Sequence, residues 1–281
     1  MLKQKELMHL TNIKLFIFGF LTLGEMLMDY ELKKEGRYEY IEEGEGPVIV
    51  FLHGLFGELS NFKEVLPHFV DKYTVVLPLL PIYTLPIISA NVKYLAKFLH
   101  EFLDYKKYDQ VTLMGNSLGG HTALVYTAKH LDRVHSMVLT GSSGLYENSF
   151  GGGFVKRGNY DVIKQKVEAT FYDPAIATKE LVDQCYEVVN DKGHALRMIG
   201  IAKSAIRHNM SNELANLDLP TCLIWGKQDI ITPPEVAEEF HEKLPDSELH
   251  WIDKCGHAAM MEQPEEFNRI LSIWLDKVHN R

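Results

Sequence analysis

Three residues of types that can act together, a serine, an aspartate and a histidine, each stand directly behind an apolar run in this 281-residue chain. Ser117 is central in Gly115-Asn116-Ser117-Leu118-Gly119, after the run Val111 to Met114 and at the start of a helical pattern. G-x-S-x-G between a strand and a helix forces a sharp turn that exposes the hydroxyl, and its glycines let strand and helix approach closely, as Gly120 also does. A serine hydroxyl is a poor nucleophile at neutral pH until a base takes its proton. Among the 13 histidines, His257 in Asp253-Lys254-Cys255-Gly256-His257 follows the run Leu249 to Ile252, on a loop able to swing towards Ser117. A base of this kind needs a carboxylate on its other nitrogen. Asp229, in Gly226-Lys227-Gln228-Asp229, follows Cys222 to Trp225. By itself it reads equally well as the cap of a helix beginning near Pro234; the chain order Ser, Asp, His favours the catalytic role. Attack on a carbonyl also needs N–H donors for the developing oxyanion. Leu118, at a helix N-terminus, supplies one candidate. The other lies in His53-Gly54-Leu55-Phe56-Gly57, with Leu55 first and Phe56 second.

The elements that must hold these groups are legible as short apolar runs alternating with longer helical patterns, the signature of a parallel sheet covered by helices. Strands are expected at Val48 to Leu52, Tyr73 to Leu77, Val111 to Met114, Val134 to Thr140, Thr221 to Trp225 and Leu249 to Ile252. Val92, Leu95, Ala96, Leu99, Phe102 and Leu103 recur at helical spacing, predicting a helix from Ser89 to Tyr105 with Ser89 near its N-cap. Ser117 to Lys129 and Glu265 to Lys277 read similarly. Arg37 to Glu42 and Pro47 to Leu52, split by Gly44 and Gly46, predict a hairpin giving the sheet an antiparallel edge. Between about Tyr146 and Met210 the alternation lapses into helical segments at Asp161 to Phe171, Lys179 to Asn190 and His194 to His208. That is too long for a loop and is expected to form a lid. The expected domains are a core over 28–145 and 211–281 and a helical cap over 146–210.

Composition narrows the partners. A formal net charge of -9 disfavours the cationic footprint nucleic acid requires, so a small-molecule substrate is expected. No residue pattern addresses oligomeric state. Cys185, Cys222 and Cys255 form no disulfide framework. Cys255 stands close to His257, but Ser117 is the better-placed nucleophile and the thiol reads as a bystander. His130, His208 and His241 read as solvated helix residues, His121 as a helix-surface or core residue, and His53 as a loop residue. The histidines lack metal-ligand spacing and no nucleotide motif occurs, so neither metal nor cofactor is expected. Lys3, Lys5 and Lys14 precede an apolar run from Leu15 to Gly24 that looks like the n- and h-regions of an export signal. It is too short to span a membrane, and no small-x-small cleavage site follows. Residues 1–27 read as an extension before a start at Met28, with a signal or anchor and a docked helix as the other readings; the expected compartment is cytoplasmic.

Taken together, His53-Gly54, Gly115-Asn116-Ser117-Leu118-Gly119-Gly120, Gly226-Lys227-Gln228-Asp229 and Gly256-His257 resemble the α/β-hydrolase family over roughly Tyr38 to Val278. The resemblance implies a mostly parallel, doubly wound sheet of about eight strands, a helical cap inserted after the sixth, and Ser-His-Asp chemistry. Gly-Asn-Ser-Leu-Gly-Gly is similar to the branch holding carboxylesterases and the C–C hydrolases of aromatic ring-cleavage products. Two departures stand out. Ala258 and Ala259 follow Gly256-His257 where those C–C hydrolases carry an aromatic residue, and Pro78-Leu79-Leu80-Pro81-Ile82-Tyr83-Thr84 replaces an Asp-x-x-Gly-x-Gly stretch. A serine nucleophile excludes the haloalkane dehalogenase and epoxide hydrolase branches, which use a carboxylate.

The leading expectation is a cofactor-free hydrolase of small carboxylic esters. Substrate contacts are expected from Asn116, Phe154, Arg197 and Arg207, with Phe150, Tyr160, Phe171 and Tyr172 either lining the pocket or packing the cap. The alternatives are C–C hydrolysis of a vinylogous diketone, with Arg197 or Arg207 holding the substrate carboxylate, and a ligand receptor that keeps the triad but signals through cap movement.

Overall fold

Strands buried on both faces read as unbroken apolar runs, and here those runs become the middle of one sheet. The computed structural model describes residues 30–148 and 157–280. The extension expected over 1–27, together with Phe150 and Phe154, lies outside the described residues. Eight strands, β1 (Lys33–Glu35), β2 (Tyr38–Glu43), β3 (Val48–Leu52), β4 (Thr74–Pro78), β5 (Val111–Asn116), β6 (Val134–Thr140), β7 (Thr221–Gly226) and β8 (Ser247–Ile252), pair in the order β1-β2-β4-β3-β5-β6-β7-β8. All pairs from β4 to β8 are parallel; β1 with β2 and β2 with β4 are antiparallel.

The antiparallel edge is present, but not as the expected hairpin. β2 pairs with β4, not with β3, and the tight hairpin is instead β1 to β2 around Gly36. The reason lies in the connection. Gly44 has φ +83, and a Cβ there would stand 2.3 Å from the carbonyl oxygens of both Val70 and Tyr73. This turn therefore packs onto the segment entering β4, and β4 slots between β2 and β3.

Along β3 the side chains alternate between two cores, as a two-residue repeat requires. Val50 and Leu52 join the core built with α2 (Val92–Lys106), α3 (Leu118–Thr127) and α7 (Pro234–Lys243). Ile49 and Phe51 join the one built with α1 (Leu66–Phe69), α8 (Ala259–Glu262) and α9 (Pro264–His279). The N-cap of α2 is Asn91, whose side chain accepts from the Tyr94 N–H at 2.9 Å. Ser89, the expected cap, belongs to the 3-10 turn Ile87–Ser89 that precedes it.

Between β6 and β7 the described chain forms α4 (Tyr160–Glu168), α5 (Lys179–Asn190) and α6 (Lys192–Arg207), with no strand among the described residues of that stretch. Asn159, Thr178 and Asp191 cap them, each accepting a backbone N–H from the first turn. Their own core is small, built on Ile163, Cys185 and Val189. Met198, Ile201 and Ala205 of α6 join the main core beside α2. No described helix is long and apolar enough to cross a membrane.

Candidate active site

The turn from β5 into α3 carries Ser117 at φ 53, a left-handed conformation unusual for a residue with a side chain. Neighbouring strands hold it there. The Ser117 N–H donates to the Thr140 carbonyl at the end of β6 (3.2 Å), and the Ser117 carbonyl accepts from the Ser143 N–H (3.1 Å). At Gly119 a Cβ would stand 2.0 Å from the Leu52 carbonyl oxygen, so only glycine lets α3 begin this close to β3. Strain in the turn is over-determined by these contacts, and the serine side chain is set at the C-terminal edge of the sheet.

Asp229 and His257 meet at that edge from the loops after β7 and β8. His257 Nδ1 lies 2.9 Å from Asp229 Oδ2, and both side chains are buried. The carboxylate is fully held: Oδ1 accepts the N–H groups of Ile231 (2.8 Å) and Thr232 (3.0 Å), and Oδ2 accepts the Thr232 hydroxyl (2.8 Å). Such a carboxylate accepts the Nδ1 proton and leaves Nε2 as the basic nitrogen. Burial alone would pull the His257 imidazole down. Asp229 outweighs it through charge and hydrogen bond, with Glu147 and Glu262 behind, so the net displacement is upwards.

The loop after β3 is fixed from its histidine. The Leu80 N–H donates to His53 Nε2 (3.0 Å), so the ring proton sits on Nδ1 and is donated to the Gly54 carbonyl (3.0 Å). Burial brings this imidazole down to about 4, keeping it neutral. The Gly54 carbonyl also accepts from the Gly57 N–H at 3.0 Å. In a trans peptide N–H and C=O point in opposite directions, so these two donors orient the Leu55 N–H the other way. Gly54 is beside the serine: a Cβ on it would lie 3.3 Å from Ser117 Cβ. Leu118, the other expected donor, is the first residue of α3.

The α/β hydrolase fold family matches this chain over residues 47–178 and 174–264. The chain belongs to that family. A solved structure of an α/β hydrolase enzyme, MGS-MChE2, from the metagenome of sediments of the Mar Chica lagoon, Morocco, is 46% identical to it. That match has a TM-score of 0.74 and covers 88% of this chain and 98% of that one. Among curated proteins, 2-hydroxy-6-oxo-6-phenylhexa-2,4-dienoate hydrolase of Comamonas testosteroni is 26% identical, covering 82% of this chain and 88% of its own. 2-hydroxy-6-oxo-6-(2'-aminophenyl)hexa-2,4-dienoic acid hydrolase of Metapseudomonas resinovorans is 28% identical, with coverage of 83% and 86%.

Asn116, expected against substrate, is a buried brace: its Nδ2 donates to the carbonyls of Thr140 (3.0 Å) and His257 (3.1 Å), tying β6 to the histidine loop. Arg197 gives its Nε proton to the Leu85 carbonyl at 2.6 Å, and Arg207 is exposed at the end of α6. Phe171 packs into the core with α8 and α9, Tyr160 donates to Asp183 (2.7 Å) in the insertion, and Tyr172 is largely exposed. Phe154 lies outside the described residues. Cys255 is buried and its thiol pushed up, keeping it protonated. Two histidines differ from expectation. His208 is half-buried against the fully buried His121 (3.2 Å), and His130 stacks on His100.

Sequence reasoning missed Thr232, Gly141 and Glu262. Thr232 stands three residues after Asp229, a spacing at which an aspartate receives a turn N–H. Gly141 follows β6 at φ +49, where a Cβ would be 2.7 Å from the His257 carbonyl oxygen; nothing in its neighbours announces that contact.

Proposed function

We propose that this α/β hydrolase is a serine hydrolase of small carboxylic esters, with Ser117 as nucleophile, His257 as base and Asp229 as its orienting carboxylate. Ser117 Oγ attacks the ester carbonyl carbon while His257 Nε2 takes the hydroxyl proton. The N–H groups of Leu118 and Leu55 receive the oxyanion. Collapse breaks the bond to the alkoxy oxygen, which leaves as the alcohol with the proton from His257, and the acyl group stays on Ser117. Water then attacks this ester, His257 again taking and returning a proton, and the acid leaves. The helices α4 to α6 serve as the cap that sizes the acyl or alcohol pocket.

The observation carrying this reading is the buried 2.9 Å pair of His257 Nδ1 and Asp229 Oδ2 on the same sheet edge as a serine held at φ 53. C–C hydrolysis of a dienoate diketone is the second reading, favoured by the activities named for the curated relatives. Ala258 after the histidine and the engagement of Arg197 with Leu85 favour esters. Fluorophosphonate labelling tests the first step: wild type labels, and Ser117→Ala does not. A panel of p-nitrophenyl esters beside a dienoate diketone then separates the two readings. A folded wild type that neither labels nor turns over esters would overturn the proposal and bring the ligand-receptor reading forward.

A further inference from the structure

The loop carrying His257 also touches the insertion. The His257 N–H donates to the Thr170 carbonyl (2.9 Å), just beyond α4. One residue earlier, the Gly256 N–H donates to Glu262 Oε1 at 2.8 Å, while the Tyr172 N–H of the insertion donates to Glu262 Oε2 at 2.7 Å. The amides of Asp173 and Ala258 also favour its charged form. A Cβ on Gly256 would meet the Thr170 carbonyl oxygen at 2.7 Å and the Tyr172 nitrogen at 3.0 Å, so only glycine lets the two segments come this close.

We propose that Glu262 is a positioning residue that clamps the His257 loop to the 170–173 segment of the insertion, making the placement of the base depend on the docking of the insertion. This rests on the serine-hydrolase reading. The chemistry of the clamp requires a carboxylate, because both oxygens face N–H donors and neither can be replaced by a donor without opposing one of them. Glutamine in its place retains one acceptor and turns an NH2 towards a backbone N–H. Partial burial pushes the Glu262 carboxyl up, and the amides around it oppose that shift. Its charge also bears on His257, together with Asp229 and Glu147. Asp173 and Lys254 border the same recess of about 190 Å³, beside Tyr172, Ile176 and Gln263.

The test compares wild type, Glu262→Gln and Glu262→Asp, using the rate of fluorophosphonate labelling of Ser117, the pH dependence of ester kcat/KM, and thermal denaturation. Labelling of the folded Gln variant should slow by roughly tenfold to a hundredfold, the scale of a misplaced catalytic group. Its acid limb should move to lower pH, because a negative charge that favours imidazolium is gone. Aspartate keeps the charge but not the reach, so it should slow labelling while leaving the acid limb in place; it carries the test if glutamine prevents folding. A purely structural part for Glu262 would lower the melting temperature and leave the folded enzyme labelling at the wild-type rate with an unmoved limb, which would overturn the inference. An unlabelled wild type would instead remove the serine-hydrolase reading itself.

Discussion

The loops at the sheet edge and the helical insertion above them are built to different standards. At the sheet edge, Asp229 accepts from two amides, a hydroxyl and an imidazole, and Asn116 ties Thr140 to the His257 loop. The insertion has a small core of its own on Ile163, Cys185 and Val189, and shares the rest of its burial with the two main cores, through Val188, Met198, Ile201 and Ala205 on one side and Phe171 on the other. A reacting constellation tolerates little displacement, so it is over-determined by hydrogen bonds. The two regions are joined by hydrogen bonds at Glu262, Thr170 and Arg197.

Breaking the sheet-edge half should have the largest effect. Asp229→Asn keeps an acceptor for the Ile231 and Thr232 amides but leaves His257 in the wrong tautomer, and kcat for an ester should fall by roughly ten-thousandfold with the fold retained. Steady-state kinetics beside circular dichroism would check it; near-normal turnover would remove Asp229 from the triad. The pH profile gives a smaller, directional effect. As the proposed base, His257 acts only when neutral; burial pulls its imidazole down, but the charge and hydrogen bond of Asp229 outweigh that and hold it above the ordinary histidine value. Activity should therefore rise with pH along a limb centred above that of an ordinary histidine, from a protonated, inactive form below it. A limb centred below the ordinary histidine value would mean that burial outweighs Asp229.

The sheet and its edge were also the legible half. Val48 to Leu52 and Val134 to Thr140 coincide with β3 and β6 because a strand covered on both faces is apolar throughout. Gly115 to Gly119 announces its turn because the geometry admits few other residues. The partner of β2 was not legible: sequence shows that Gly44 and Gly46 interrupt the chain, but not that Val70 and Tyr73 lie under the turn. β1, Lys33-Lys34-Glu35, has no apolar face to betray it. In the insertion, amphipathic spacing located Lys179 to Asn190. The use of Arg197 depended on a carbonyl more than a hundred residues away in the chain, which local pattern cannot reveal.

The smallest effects should come from the two insertion arginines, and they sharpen the contrast most. Arg197→Ala removes a charged donor from the Leu85 carbonyl across the junction between insertion and core. It should cost about 1.5 kcal/mol in denaturant titration, with ester kcat little changed because no reacting atom has moved. Arg207→Ala, on an exposed side chain, should stay within about 0.5 kcal/mol of wild type and leave ester turnover alone. Both variants should also leave the ratio of ester to dienoate-diketone turnover unchanged. A selective loss of diketone turnover in either one would mean that the insertion reads a substrate carboxylate, giving it a part in the chemistry and moving C–C hydrolysis ahead of ester hydrolysis.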